Sequence, residues 1–265
     1  MQHYRKIQQS TATPCGNTTF PILNNFIIDD NYKCCNEFLP ITLDDAIEIE
    51  KNTVRQFDSQ EWIDQRKKRF TASNFAKVVK RKKVVNEKFL KSIFDPKQFT
   101  SAATSYGIAN EVKTKEKYTD KFTSKHLHDC GLVVNPSFCF LGATPDGKVC
   151  SDSETGIIEI KCPYFARDMK IEEAILTPNF CLMKVGDNYV MNKSHDYYCQ
   201  VQGQLLVTGA PYCEFIVNTK EDFAVSKVFP DRDFQRKMFD KLCEFYKLHA
   251  IPYFQNINNV PASSV

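Results

Sequence analysis

Two stretches of sequence decide the fold: Gly142-Ala143-Thr144-Pro145-Asp146-Gly147 and Ile157-Ile158-Glu159-Ile160-Lys161-Cys162-Pro163. The first predicts a strand that ends in a turn at Asp146, and the second predicts the next strand. Residues two apart in a strand point to the same side, so Glu159 and Lys161 project together while the alternate isoleucines face the core. Because the turn can fold back, we expect Asp146, Glu159 and Lys161 to converge at one end of a sheet.

This trio has the chemistry of a hydrolytic metal site. Two carboxylates make a hard oxygen site suited to Mg²⁺, which keeps some of its waters and binds substrate phosphate directly. The metal lowers the pKa of a bound water and shields charge on the phosphate, and a neighbouring lysine would orient or deprotonate that water. Each residue alone also has a simpler explanation, because Asp-Gly turns are common in hairpins and Glu–Lys pairs on strands are usually solvated. The apolar strand around Glu159 and the Cys-Pro that ends it favour the metal site.

Helices and strands alternate on both sides of this motif. Apolar spacing predicts helices over about 42–56, 62–69, 73–80 (capped by Ser73), 106–122 and 196–208, and a terminal helix from residue 234. Short apolar runs predict further strands at 132–134, 138–143, 212–217 and 223–229. This order predicts an α/β or α+β fold in which helices pack on a sheet.

Length and composition indicate an ordinary globular chain. The 265 residues are 42% hydrophobic and 25% charged, which excludes disordered, collagen-like and coiled-coil classes. We expect a partly ordered extension over 1–40, one domain over 41–255 and a tail over 256–265. No apolar run is long enough for a membrane span, and the first ten residues lack the hydrophobic block of a secretory signal. A soluble, intracellular protein is therefore expected.

The eleven cysteines do not suggest a metal or disulfide framework. Their number is odd, and no C-x-x-C pair occurs. We expect reduced and mostly buried thiols. His126, His128 and Cys130 alternate too closely for a tetrahedral zinc site, so we expect them to be structural or on the surface.

Positive charge is concentrated in one segment. Residues 64–83 contain nine basic side chains and one acid, although the whole chain carries a net charge of only +3. Such segregation predicts a face that binds a polyanion. The run Lys80-Arg81-Lys82-Lys83 also fits a solvated cluster or a nuclear-import signal, which would suit a eukaryotic or viral protein.

Five motifs follow one another between residues 53 and 208. They are Trp62-x-x-x-Arg66 leading to Thr71-Ala72-Ser73, Gly107-x-x-x-Glu111, Thr144-Pro145-Asp146-Gly147, Glu159-Ile160-Lys161-Cys162-Pro163 with Arg167, and Tyr197-x-x-Gln200-Val201-Gln202. In this order they resemble the lambda-exonuclease and YqaJ-type viral recombinase nucleases of the PD-(D/E)xK superfamily. The resemblance implies a restriction-endonuclease-like core, in which helices flank a central mixed sheet. It also implies Mg²⁺-dependent degradation of DNA from a 5′ end, with Mn²⁺ able to substitute.

The same resemblance implies a role for each matching residue. Asp146 and Glu159 would bind the metal together with the Ile160 main-chain carbonyl, and Lys161 would activate the attacking water. The helix carboxylate that holds a second metal or its waters would be Glu111, and Gln200 would lie beside the active site. The pocket for a 5′-terminal phosphate would comprise Arg66, Ser73, Thr144 and Arg167, with further DNA contacts from Trp62, Lys67 and Lys68.

The main hypothesis is a DNA exonuclease that acts 5′→3′ on duplex ends in recombination or DNA processing. The expected partners of such an enzyme are DNA ends with a 5′-phosphate, a single-strand annealing protein and further copies of the chain. We expect no association with a membrane. An endonuclease or structure-specific nuclease with the same metal site is one alternative. An inactive nucleic-acid-binding module is another, and the presence of all four of Glu111, Asp146, Glu159 and Lys161 argues against it.

Overall fold

The computed structural model describes residues 19–23, 26, 28–96, 101–151 and 154–258. Its α-helices are α1 (Lys33–Glu37), α2 (Leu43–Asn52), α3 (Gln60–Lys67), α4 (Ala72–Val79), α5 (Glu87–Phe94), α6 (Ala102–Lys121), α7 (Ile171–Ala174), α8 (Asp196–Thr208), α9 (Arg232–Phe245) and α10 (Ile251–Asn258). Its strands are β1 (Phe70–Thr71), β2 (His126–His128), β3 (Val133–Val134), β4 (Leu141–Ala143), β5 (Gly147–Cys150), β6 (Thr155–Lys161), β7 (Leu182–Val185), β8 (Asn188–Met191), β9 (Cys213–Asn218) and β10 (Phe223–Val228).

The largest sheet is mixed and has five strands in the order β10-β9-β6-β5-β2. Its central pair, β6 and β9, is parallel, and the other neighbouring pairs are antiparallel. Strand β6 is buried along almost its whole length, because Ile157 packs into one hydrophobic cluster and Ile158 and Ile160 pack into another on the opposite face of the sheet. A mixed sheet with flanking helices confirms the predicted fold class.

A second, three-stranded sheet has the order β1-β4-β3. Strand β1 runs parallel to β4, with Thr71 opposite Gly142. Parallel strands end at the same edge of a sheet, so the start of α4 after β1 lies beside Thr144 after β4. A separate hairpin is formed by β7 and β8.

Helix α8 is buried along most of its length and packs against α4. The Nδ1 atom of His195 accepts a hydrogen bond from the Tyr197 backbone N–H, so His195 caps the start of the helix. Gly209 ends it in the left-handed conformation, with φ of 71°. A Cβ on Gly203 would lie 2.4 Å from the Phe75 ring, so this glycine permits the close approach of α4.

Some local predictions are wrong. Ser73 is inside α4 and does not cap it, because the helix already begins at Ala72. Helix α5, strand β2 and the β7–β8 hairpin were not predicted.

Within the described ranges the cysteines are free, and most are buried. Every helix in those ranges is too short or too polar to cross a membrane.

The segment expected as an N-terminal extension contributes to the core where it is described. Phe20 and Cys35 are fully buried and belong to the largest hydrophobic cluster. Residues 1–18 and 259–265 lie outside the described residues, and the domain boundaries at 40 and 255 stay a prediction.

Candidate active site

The turn at Asp146 folds back onto β6 as the sequence predicts. The backbone N–H of Asp146 donates to the carbonyl of Ile158 over 3.1 Å, which continues the pairing of β5 with β6. Its Oδ2 atom accepts a hydrogen bond from the Ile160 backbone N–H over 2.6 Å. The Asp146 carboxylate is therefore fixed to the strand that carries Glu159 and Lys161.

Glu159 is 2% exposed and is surrounded by donors. Its Oε1 atom accepts from Lys161 and, over 2.6 Å, from Nε2 of Gln200. Its Oε2 atom accepts from Nε2 of Gln204 over 2.7 Å. Both glutamines lie on α8, one turn apart on the same face. The sheet supplies the carboxylate and the helix holds it.

The pKa values of Asp146 and Lys161 are both raised in this environment. Burial, followed by repulsion from Glu159 and Glu111, raises the pKa of Asp146 well above its usual value. Burial alone lowers the pKa of Lys161, but attraction to Glu159 and Asp146 outweighs it and raises this pKa. Lys161 is therefore a cation at neutral pH, suited to orienting water and stabilising negative charge.

This pair of carboxylates fits a divalent cation such as Mg²⁺. A cation would relieve the repulsion that raises the Asp146 pKa, and the Oε1 atom of Gln204 is buried with no hydrogen-bond donor among the described residues. Within that part of the chain, no three His, Cys, Asp or Glu side chains are grouped closely enough to hold a metal by themselves. Mg²⁺ commonly uses one or two carboxylates and completes its shell with water and phosphate. The Ile160 carbonyl as a ligand stays a prediction.

Glu111 lies on α6 at the edge of this group. It forms an ion pair with Lys115 over 3.0 Å and does not line the cavity described below. Its charge still raises the Asp146 pKa, although less than that of Glu159 does. Lys115 was not among the predicted site residues. The charges of Glu111 and Asp146 both act to raise its pKa. The role of Glu111 toward a second metal or its waters stays a prediction.

Three of the predicted DNA-binding residues form one cluster beside the carboxylates. The Thr144 hydroxyl accepts hydrogen bonds from Nε1 of Trp62 over 3.2 Å and from the Arg66 guanidinium over 3.5 Å. The guanidinium carbon lies 4.1 Å from the centre of the Trp62 ring. Burial lowers the pKa of Arg66 to about 10, so the residue keeps its charge at neutral pH.

A single cavity of about 200 Å³ joins this cluster to the carboxylates. Ser73 also lines it, with its hydroxyl 3.3 Å from that of Thr71 at the start of α4. The Thr71 side chain does not cap α4, so the N–H groups of the first turn at the cavity wall can bind an anion. The full lining is Gln56, Trp62, Arg66, Thr71, Ala72, Ser73, Thr144, Asp146, Glu159, Lys161, Gln200 and Gln204.

Three predicted contact residues lie outside this cavity lining. Arg167 stacks on Tyr164 at 4.2 Å, donates to its carbonyl and pairs with Asp168 over 3.2 Å. Lys67 is exposed and pairs with Asp95 over 3.1 Å, and Lys68 is exposed. These two lysines lie at the end of α3, the helix that carries Arg66.

Sequence reasoning missed Gln56 and Gln204 in the cavity wall. Gln56 has a positive φ of 49°, and its amide donates to the carbonyls of Cys130 and Pro145. It therefore braces the backbone just before Asp146. The signal for Gln204 was its spacing of four residues from Gln200, which places both amides on one face of a helix.

Known proteins resemble this chain in sequence or in fold. The alkaline nuclease of Orgyia pseudotsugata multicapsid polyhedrosis virus is 30% identical over 41% of this chain, but only 29% of its own length is covered. The alkaline exonuclease LHK-Exo from Laribacter hongkongensis superposes with a TM-score of 0.57 at 21% identity, covering 76% of this chain and 97% of LHK-Exo. The Shutoff and Exonuclease Protein of Kaposi's sarcoma-associated herpesvirus gives 0.55 at 15% identity, covering 79% and 73%. These superpositions show a shared fold.

The family follows from a match that covers more than half of the chain. Residues 61–211 match the family described as the YqaJ-like viral recombinase domain. That span includes all of the cavity lining except Gln56. The resemblance seen in the sequence motifs is thereby confirmed, and the chain belongs to the YqaJ-like viral recombinase domain family.

Proposed function

We propose that this chain is a divalent-metal-dependent deoxyribonuclease that degrades double-stranded DNA 5′→3′ from ends carrying a 5′-phosphate. The observation that carries this proposal is the single cavity of about 200 Å³. This cavity connects the hydrogen-bond donors around Arg66, which would bind a phosphate, to the carboxylates of Asp146 and Glu159. Recognition of an end and hydrolysis of a phosphodiester are thus brought together in one space.

Each side of the cavity has its own task in this proposal. The Arg66 guanidinium, the hydroxyls of Ser73 and Thr144 and the first turn of α4 hold the terminal phosphate by charge-assisted hydrogen bonds. Asp146 and Glu159 would hold the cation, which would supply an activated water and shield charge on the scissile phosphate. Lys161, as a cation, orients the water and stabilises charge that develops on the phosphate.

The relatives support a nuclease acting on nucleic acid. Two relatives, from Orgyia pseudotsugata multicapsid polyhedrosis virus and Autographa californica nuclear polyhedrosis virus, are named alkaline nucleases. LHK-Exo has been crystallised with dAMP, and SOX has been crystallised with DNA and with RNA. The chain spans less than a third of these two viral nucleases, so we propose the activity of this chain from its own cavity.

The wider setting is also a proposal. The YqaJ-like family supports a role in recombination or DNA processing, with a single-strand annealing protein and further copies of the chain as partners. In the run expected as a nuclear-import signal, Lys80 pairs with Asp196 and Arg81 stacks on Phe89, while Lys82 and Lys83 are exposed. A nuclear location would therefore depend mainly on these last two lysines.

The decisive experiment compares a linear duplex that has 5′-phosphates with a covalently closed circle of the same sequence. We expect Mg²⁺ or Mn²⁺ to support release of nucleotides from the linear duplex alone, and EDTA to stop it. Asp146→Asn should abolish release while DNA binding persists, because affinity for the backbone comes mainly from basic residues. The exposed Asp44→Asn on α2 is the matched control. Rapid cutting of the circle would instead indicate an endonuclease, and no cutting of either DNA would indicate an inactive binding module.

A further inference from the structure

The side chain of Gln204 connects the two halves of the cavity. It is 1% exposed, and its Nε2 atom donates to Oε2 of Glu159 over 2.7 Å and to the Thr144 carbonyl over 3.4 Å. Thr144 is the residue whose hydroxyl accepts from Trp62 and Arg66. The Gln204 amide therefore bonds both to a carboxylate of the proposed cation site and to a residue of the proposed phosphate site.

Hydrogen-bond chemistry fixes the orientation of this amide. A carboxylate and a carbonyl oxygen can only accept, so the NH₂ group of Gln204 must face Glu159 and Thr144. Its Oε1 atom then points elsewhere, and among the described residues no donor reaches it. A buried amide oxygen normally has a partner, and this one belongs to a side chain that lines the cavity. A donor that enters the cavity would supply this partner.

Gln200 makes a similar contact but differs in what its carbonyl oxygen can reach. It donates to Oε1 of Glu159 and is only half-buried, so solvent can pair with its own oxygen. The two glutamines hold both oxygens of Glu159 from one face of α8. Gln204 is distinguished by complete burial and by an oxygen without a donor in the described chain.

We infer that Gln204 is a positioning residue: its NH₂ group fixes the rotamer of Glu159, and its Oε1 atom accepts a hydrogen bond from a water bound to the cation that Asp146 and Glu159 hold. This inference rests on the proposed function, because it assigns Gln204 a place around the proposed cation. Outer partners of this kind orient metal ligands, and their loss typically weakens metal binding about 10- to 100-fold.

The test measures Mn²⁺ binding to the full chain, without DNA, by the loss of the free-ion signal in electron paramagnetic resonance. Gln204→Met keeps the length of the side chain and removes both hydrogen-bonding groups. We expect Mn²⁺ affinity to fall about 10- to 100-fold. Gln202→Met is the matched control, since Gln202 is equally buried on α8 but its amide bonds Phe229 and Asp231. The control should lower the melting temperature and leave Mn²⁺ affinity unchanged.

A second variant protects the test against misfolding. Gln204→Asn keeps the amide but is one methylene shorter, so it should also withdraw from Glu159 and weaken Mn²⁺ binding. Circular dichroism identifies which variants are folded. Wild-type Mn²⁺ affinity in either folded Gln204 variant would overturn the inference, as would equal losses in Gln204→Met and Gln202→Met.

The same measurement separates this inference from the proposed function. If the unaltered protein binds Mn²⁺ and degrades DNA while folded Gln204 variants bind Mn²⁺ equally well, only the inference fails. If the unaltered protein neither binds Mn²⁺ nor degrades DNA, the proposed function fails and the inference fails with it.

Discussion

The central carbon of the Arg66 guanidinium lies over the indole of Trp62, 4.1 Å from the ring centre, and both side chains donate a hydrogen bond to the hydroxyl of Thr144. The indole ring fixes the position of the guanidinium. The Thr144 hydroxyl connects the guanidinium to the end of the strand that leads to Asp146. A charged group that is partly buried and held in this way is suited to binding a phosphate by two parallel hydrogen bonds.

Arg66→Ala should reduce the preference for a 5′-phosphate over a 5′-hydroxyl end. Loss of one charged hydrogen-bonding group costs about 1.5–3 kcal/mol, or about one to two orders of magnitude in rate if the contact is made in the transition state. Nucleotide release from the two duplexes measures the effect, and dependence on Mg²⁺ should persist. Arg55→Ala, an exposed arginine outside the cavity, is the control. An unchanged preference in Arg66→Ala would contradict this role.

Lys67 and Lys68 should contribute to DNA affinity through salt-dependent contacts. Each lysine that neutralises a phosphate releases counterions, so replacing both by alanine should flatten the plot of log K against log salt concentration by about one unit per contact. Fluorescence anisotropy with a labelled duplex gives the slope. Lys237→Ala, an exposed position on α9, should leave the slope unchanged. If the double variant has the wild-type slope, the two lysines are merely solvated surface residues.

Gly203→Ala should destabilise the protein. Its new Cβ would lie 2.4 Å from the Phe75 ring, and overpacking of this kind costs about 1–3 kcal/mol. Urea denaturation gives the free energy of unfolding. Gly107→Ala on α6 is the matched control, because among the described residues no atom beyond its chain neighbours and the nearby backbone of its own helix lies within 4 Å of the added Cβ, and alanine favours a helix by about 0.5–1 kcal/mol. Equal stabilities of the two variants would show that α4 can move away from α8.

Asp231→Ala should remove a stabilising helix cap at the start of α9. Oδ1 of Asp231 accepts from the Phe234 backbone N–H over 3.2 Å, and Oδ2 accepts from Lys193 and Tyr198. Loss of such a cap costs about 1 kcal/mol. Thermal unfolding at neutral pH measures it, with the exposed Asp233→Ala in the first turn as the control.

The effect of Asp231 should also depend on pH. Hydrogen bonds from Lys193 and Tyr198 lower the pKa of Asp231 in the folded state. A carboxyl with a lowered pKa stabilises the fold above its unfolded-state pKa, and this contribution is lost as the pH falls through the folded-state value. The difference in stability between wild type and Asp231→Ala should therefore shrink in acid. A difference that stays constant on acidification would contradict the assigned ionisation.

The chain is most predictable where local signals and periodicity agree. Helix α8 has the predicted bounds, because His195 caps its start and Gly209 takes the left-handed conformation at its end. Convergence of Asp146 with Glu159 was also predictable, since alternation along β6 fixes the side of the strand and an Asp-Gly turn brings the chain back. Strand β2 was missed because its sequence, His-Leu-His, is short and has two polar residues out of three.

Side chains that choose among several neighbours could not be placed from spacing. Arg167 matches a phosphate-binding position in sequence, yet it stacks on Tyr164 and pairs with Asp168, because its long side chain reaches both. The sequence predicts that Ser73 caps a helix, but α4 begins at Ala72, one residue before Ser73. The Ser73 hydroxyl lies beside that of Thr71 instead. Such outcomes depend on tertiary neighbours that the linear sequence does not specify.

Trp62 is the one tryptophan in the sequence. The indole that packs against Arg66 and Thr144 is therefore also the source of the protein's entire tryptophan emission. An anion that pulls the guanidinium away from the ring would change the emission of this single fluorophore without interference from any other indole. Because Trp62 lines the cavity that we propose to bind a 5′-phosphate, its fluorescence offers a way to follow the binding of DNA ends in real time on unlabelled protein.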